Sequence, residues 1–185
     1  MRNQWTAIAM AICVMMGCSG IRVAQDYDAQ TRFDGLQSYR WATATQPESG
    51  DPRIDNPLRD TRIRAAVERV LAEKGFNRSQ EENWGFLIRY QYTLRQKIES
   101  TGTSSGIGFG YGRRGRYGGV AIGTGDSIRQ YDEGTLVIDF QAAASGELLW
   151  RGTGIQRFRQ YDDPAKTTSD INQLVEKILG QFPPR

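Results

Sequence analysis

Residues Gly134 to Gly152 read GTLVIDFQAAASGELLWRG, and their pattern decides the fold. Leu136, Ile138 and Phe140 alternate with Val137, Asp139 and Gln141; small residues and Gly146 follow, and a second apolar run, Leu148 to Trp150, ends in Arg151-Gly152. Period-two alternation in a β-branched and aromatic run, a Ser-Gly turn and a second run of similar length specify an antiparallel hairpin. The face carrying Leu136, Ile138 and Phe140 has to be covered from elsewhere in the chain. This stretch therefore holds a core together and carries no visible chemistry.

Working outward, Phe86, Ile88, Tyr90, Tyr92 and Leu94 alternate with Leu87, Arg89, Gln91, Thr93 and Arg95, which predicts a long strand with one covered face. Its other face carries a cationic row, Arg89, Arg95 and Lys97, suited to solvent or to an anionic partner. Nearer the N-terminus, Ile21 to Asp28 and Phe33 to Trp41 read as two further strands, with Ser38 to Trp41 the most strand-like part of the second; Ala42 to Ile54 is a loop.

Two amphipathic helices supply the cover. Asn56 is a suitable N-cap, Pro57 fits the first helical position and Gly75 is a stop. Between them Ile63, Val67, Val70 and Leu71 form one apolar stripe, and Arg64/Glu68 and Arg69/Glu73 are opposite charges four apart on the expected solvent side. The last helix starts at Asp163-Pro164 or at Ser169-Asp170; Ile171, Leu174, Val175, Ile178 and Leu179 form its stripe, and Gly180 with Pro183-Pro184 ends it. The whole reads as an α+β fold, an antiparallel sheet with two amphipathic helices packed on one face, plus a glycine-rich β-arm at about residues 102–125.

That arm, GTSSGIGFGYGRRGRYGGVAIGTG, contains Gly110-Tyr111-Gly112-Arg113-Arg114-Gly115, which matches the dinucleotide pattern G-x-G-x-x-G. The pattern requires a preceding strand and a following helix, whereas a further glycine-rich, β-like run follows here, so no nucleotide cofactor is implied. Tyr111, Tyr117, Arg113, Arg114 and Arg116 are instead candidates for contact with a partner.

The 185 residues carry a formal charge of +3 and a pI near 9.0, too mild for a dedicated nucleic-acid binder. There is no histidine, which removes imidazole metal sites and His-based triads. The only cysteines are Cys13 and Cys18. Arg2 followed by the apolar run Trp5 to Met16 is too short for a membrane span and reads as a signal peptide over residues 1–17. Met15-Met16-Gly17-Cys18 resembles a lipobox, which implies an acylated Cys18 as the mature N-terminus and a single domain over residues 18–185 without free thiols. Several acyl chains hold a protein to a bilayer effectively for good. Ser19, in place of an inner-membrane-retaining Asp, points by the same resemblance to the outer membrane, with the domain facing the periplasm.

The order of these elements resembles the DUF4136 family of bacterial envelope lipoproteins, above all in GTLVIDF, LLWRG and the closing Phe182-Pro183-Pro184. The chain departs from that pattern at Trp84-Gly85-Phe86 and at Ala142 to Ser145. The resemblance implies a fold and an envelope address and supplies no catalytic residues. The expected function is that of a noncatalytic binding or assembly module, held to the membrane by lipid and meeting an envelope protein or anionic envelope polymer. The alternative is a hydrolase using carboxylates from among Asp26, Asp28, Asp132, Glu133 and Asp139.

Overall fold

Long alternating runs become long strands when both neighbours are available to pair, and the two longest strands here lie side by side. In the computed structural model, which describes residues 20–43, 48–80, 84–101 and 127–184, the strands are β1 (Arg22–Tyr27), β2 (Ser38–Trp41), β3 (Asn77–Arg78), β4 (Phe86–Thr101), β5 (Ser127–Ala142) and β6 (Leu148–Arg157). The helices are α1 (Pro57–Glu73) and α2 (Pro164–Leu179). All six strands form one sheet in the order β1-β6-β5-β4-β2-β3. The expected signal peptide, Cys18 and the expected glycine-rich arm with Tyr111, Arg113, Arg114, Arg116 and Tyr117 lie outside the described residues.

The hairpin is β5 and β6, with Phe140 opposite Trp150 and Leu136 opposite Gly154. Its turn closes through Gly146, whose φ of 74° suits glycine and whose N–H donates to the Ala142 carbonyl. The class expected from the sequence holds, with one difference in pairing. Strands β1, β6, β5 and β4 are antiparallel, but β2 runs parallel to both β4 and β3, so the sheet is mixed. A parallel neighbour requires a long connection, and the one from β2 to β4 passes through α1. The second strand is also shorter than its apolar pattern suggests: Phe33–Gly35 is a turn of 3-10 helix, and its ring packs edge-on against Phe182.

Both helices begin where their caps predict. The Asn56 side chain accepts a hydrogen bond from the Leu58 N–H, and that of Asp163 accepts one from Ala165, so Asp163-Pro164 is the start of α2. Each cap satisfies a backbone donor that the first turn leaves unpaired. Gly75, at φ 87°, turns the chain out of α1.

Residues directly opposite in the register share a face, so Tyr90, Ile138 and Gly152 line up on one side of the sheet. On that side lie both helical stripes. Leu174 and Ile178 of α2 sit against Gly152 and Gly154, and Asp60 of α1 meets the Tyr90 hydroxyl. Phe86, Phe140, Trp150 and Phe182 form the centre of the core, each at most 1% exposed. Phe182 arrives from the C-terminal segment and contacts the rings of Phe33, Phe76, Phe86, Phe140 and Trp150.

One expectation about α1 is corrected. Arg64 pairs with Asp60, at 2.9 Å, and not with Glu68, which instead accepts from Trp41 Nε1 at 2.8 Å and from Arg78 at 3.0 Å. These groups turn inward over the edge of the sheet, with the side chains of Arg64 and Asp60 only 15% and 20% exposed. Arg69–Glu73 forms as expected, and Arg69 also reaches Glu176 of α2 at 2.6 Å.

Candidate functional site

The face of the sheet opposite α1 and α2 is built of rows that run across the strands. Its central rows are small or uncharged up to the β1 edge: Gln91, Val137, Thr153 and Ala24, then Thr93, Thr135 and Ile155, a row that ends at Arg22 on β1. Charged rows flank them. Toward one end Arg89 on β4 lies opposite Asp139 on β5, which lies opposite Arg151 on β6, which lies opposite Asp26 on β1, so charges alternate in sign across four strands. Arg151 grips Asp139 with two hydrogen bonds, at 2.7 and 2.6 Å, a bidentate geometry stronger than a single contact.

The other end is different. Arg95, Glu133 and Arg157 form a row, Lys97 lies one pleat beyond, and Arg22 reaches across β6 from β1. The buried Glu133 carboxylate takes Arg22 at 2.7 Å and Lys97 at 3.7 Å, and the Arg157 guanidinium lies 4.2 Å from the centroid of the Tyr131 ring. Among the described side chains, Glu133 thus carries two cations in contact and has Arg95 and Arg157 beside it in its row. The row of Arg89 and Arg95 expected from the sequence is split by this arrangement: both are exposed on β4, but they are six positions apart, about 20 Å along the strand, Arg89 in the balanced row and Arg95 in the cationic one.

The candidate carboxylates do not converge. Asp139 is held by Arg151, Glu133 by Arg22 and Lys97, and Asp132 by Arg53 at 2.6 Å on the opposite face. Asp28 caps a turn, accepting from Gln30 N and Thr31 Oγ1. Asp26 and Asp139 face each other across β6, with Arg151 on the strand between them, hydrogen-bonded to Asp139.

A cleft of about 750 Å³ at the β2–β3 edge was not legible in the sequence. Arg40, Trp41, Arg64, Glu68 and Arg78 line it. Arg40 stacks on Trp84 and Arg64 on Trp41, each at 4.4 Å, so aromatic rings hold two of the guanidinium groups in place. Closer to the core, Arg59 lies between Tyr92 and Phe158, at 5.3 and 5.2 Å, and burial lowers its pKa. Asp170 nearby accepts from Gln156 at 2.7 Å, and burial raises its carboxyl above the ordinary range. The only signal for the cleft in the sequence is the Arg40-Trp41 pair, and its significance depends on α1 crossing above it.

No functionally curated protein matches the chain. Among solved structures, a PDZ domain protein from Parabacteroides distasonis ATCC 8503 is similar over 89% of this chain, with 11% identity and a TM-score of 0.52. This chain spans 36% of the length of that protein, and the likeness is one of fold. A PelC dodecamer from Paraburkholderia phytofirmans is similar over 89% of this chain and 99% of its own, at 12% identity and a TM-score of 0.46. Residues 23–184 match the family model described as "Domain of unknown function (DUF4136)", and the chain belongs to that family.

Proposed function

We propose that the protein is a noncatalytic binding or assembly module of the bacterial envelope, tethered to the outer membrane through lipid on Cys18 and facing the periplasm. The observation that carries this reading is how the carboxylates are engaged. A glycosidase-type pair needs two carboxyl groups about 5 to 9.5 Å apart with the scissile bond between them. Here Asp139 and Asp26 have Arg151 on the strand between them, and Glu133, Asp132 and Asp28 are each engaged elsewhere. An open face of mixed polar, apolar and charged side chains supports a binding role, and an acidic envelope protein or anionic polymer is the class of partner it suits.

The anchor is tested by labelling cells with a fatty-acid analogue. Wild type is expected to be labelled and to fractionate with outer membranes, and Cys18→Ser to remain unlabelled. Equal labelling of the two would overturn the anchored reading. Crosslinking in intact cells then identifies the partner.

A further inference from the structure

We propose that the cationic end of the open sheet face, Arg22, Arg95, Lys97 and Arg157, docks on the anionic phospholipid surface of the membrane that holds Cys18. This rests on the lipid-anchored reading above and adds to it an orientation and a contact surface.

The argument is one of reach. Strand β1 begins at Arg22, four residues after Cys18, and four residues fully extended span at most about 14 Å. The start of β1 therefore cannot leave the bilayer surface by more than that distance. The topology decides what accompanies it. Because β1, β6, β5 and β4 alternate in direction, the start of β1 shares an end of the sheet with the close of β6, the early part of β5 and the later part of β4. Those positions hold Arg157, Glu133, and Arg95 with Lys97. Arg22 and Lys97 meet on the same Glu133 carboxylate, so the tethered strand and the far strand of the cluster are joined directly.

Charge supplies the second half. Among the described side chains, Arg22 and Lys97 meet Glu133, Arg95 and Arg157 lie in its row, and Asp132, the next acid along β5, points to the other face and pairs with Arg53. The alternating row Arg89, Asp139, Arg151, Asp26 has no net charge and lies about 20 Å away. Among the described side chains, the excess positive charge of the face is thus gathered at its tethered end. Attraction to an anionic leaflet falls off within a Debye length, about 8 to 10 Å at physiological salt, so only groups kept close to the surface benefit. A tether of four residues lets Arg22 and its neighbours come within that range, and each basic residue facing such a surface strengthens the attraction by about fivefold.

The test uses the acylated full chain in vesicles. In the mature protein the Cys18 sulfur carries lipid, so a cysteine introduced at exposed Gln96, at the cationic end, or at Ser145, in the β5–β6 turn at the opposite end, is the only thiol available for a fluorescent probe. Vesicles of phosphatidylcholine bearing nitroxide headgroups, with or without about 30 mol% phosphatidylglycerol, report proximity by quenching. Phosphatidylglycerol is expected to increase quenching at Gln96→Cys and not at Ser145→Cys, and high salt to reverse it. Arg95→Glu with Lys97→Glu, both at exposed positions, is expected to return quenching to the phosphatidylcholine level, whereas Arg89→Gln, in the balanced row, leaves the increase intact. Equal quenching with and without phosphatidylglycerol, or an increase that survives the double reversal, would overturn the docking surface. Flotation with pure phosphatidylcholine vesicles in high salt reads the anchor alone. A chain that fails to float would overturn the anchored reading and the docking surface with it, while one that floats but shows no lipid-dependent quenching would overturn the docking surface only.

Discussion

The indole of Trp150 lies across Gly152: a β-carbon at residue 152 would sit 2.2 Å from Trp150 Cη2 and 2.5 Å from Ile178 Cγ2. The Trp-Arg-Gly run is thus a packing device. The tryptophan folds over its own strand into space left by the absent side chain, and α2 closes on top. Arg151, between the two, faces the other side of the sheet and holds Asp139.

Gly152→Ala is accordingly expected to destabilise the fold by about 1 to 3 kcal/mol, the ordinary range for overpacking a filled core. The contacts at issue come from a buried ring and a helix residue, neither of which is the free end of a flexible side chain. A shift of the denaturant midpoint at unchanged slope would read this cost directly.

Trp150→Ala should cost more, about 3 to 5 kcal/mol. The ring is fully buried, stacks near Phe140 and Phe182 at 5.0 and 5.2 Å, and donates Nε1–H to the Gln25 side chain of the edge strand β1. An unchanged midpoint would be incompatible with that burial.

The closing Phe182-Pro183-Pro184 holds more than a helix stop. Phe182 is 1% exposed and meets five other rings, including Phe140 edge-on at 4.6 Å. Phe182→Ala is expected to cost about 3 to 5 kcal/mol, and Phe182→Leu distinctly less. Thermal denaturation of the pair would separate loss of volume from loss of aromatic contact.

Alkaline pH gives a fourth expectation. Burial pushes the Tyr92 phenol up to about 12, with Arg59 opposing and Asp170 reinforcing the rise. The folded state then holds its proton more tightly than the unfolded chain, whose phenol titrates near 10. Stability is complete below pH 10 and is lost as pH rises from 10 towards 12. A shift of two pH units amounts to about 2.7 kcal/mol for this group. Denaturation at stepped alkaline pH should show the decline, and Tyr92→Phe should show a shallower one.

The helix ends were legible in the sequence because they are local: Asn56-Pro57, Asp163-Pro164 and Gly75 act through hydrogen bonds and backbone angles within a few residues. The alternation of Phe86 to Leu94 and of Leu136 to Phe140 likewise fixed which side of each strand is buried, since side-chain direction follows from the pleat alone. The partner of Arg64 was not legible. Asp60 and Glu68 are both four residues away, and the choice fell to Asp60 because Trp41 and Arg78, distant in sequence, claim Glu68.

Periodicity and caps, acting over short range, set the α+β class, the two amphipathic helices, the hairpin and the faces that its strands bury. Long-range pairing settled the rest: β2 runs parallel beside β4, Arg89 and Arg95 belong to rows of different charge, and Arg22 meets Lys97 on Glu133 across two intervening strands. The physical reason is that a residue's neighbours along the chain fix its backbone and its face, whereas its neighbours across a sheet are fixed by strand order and register, which the whole chain settles at once.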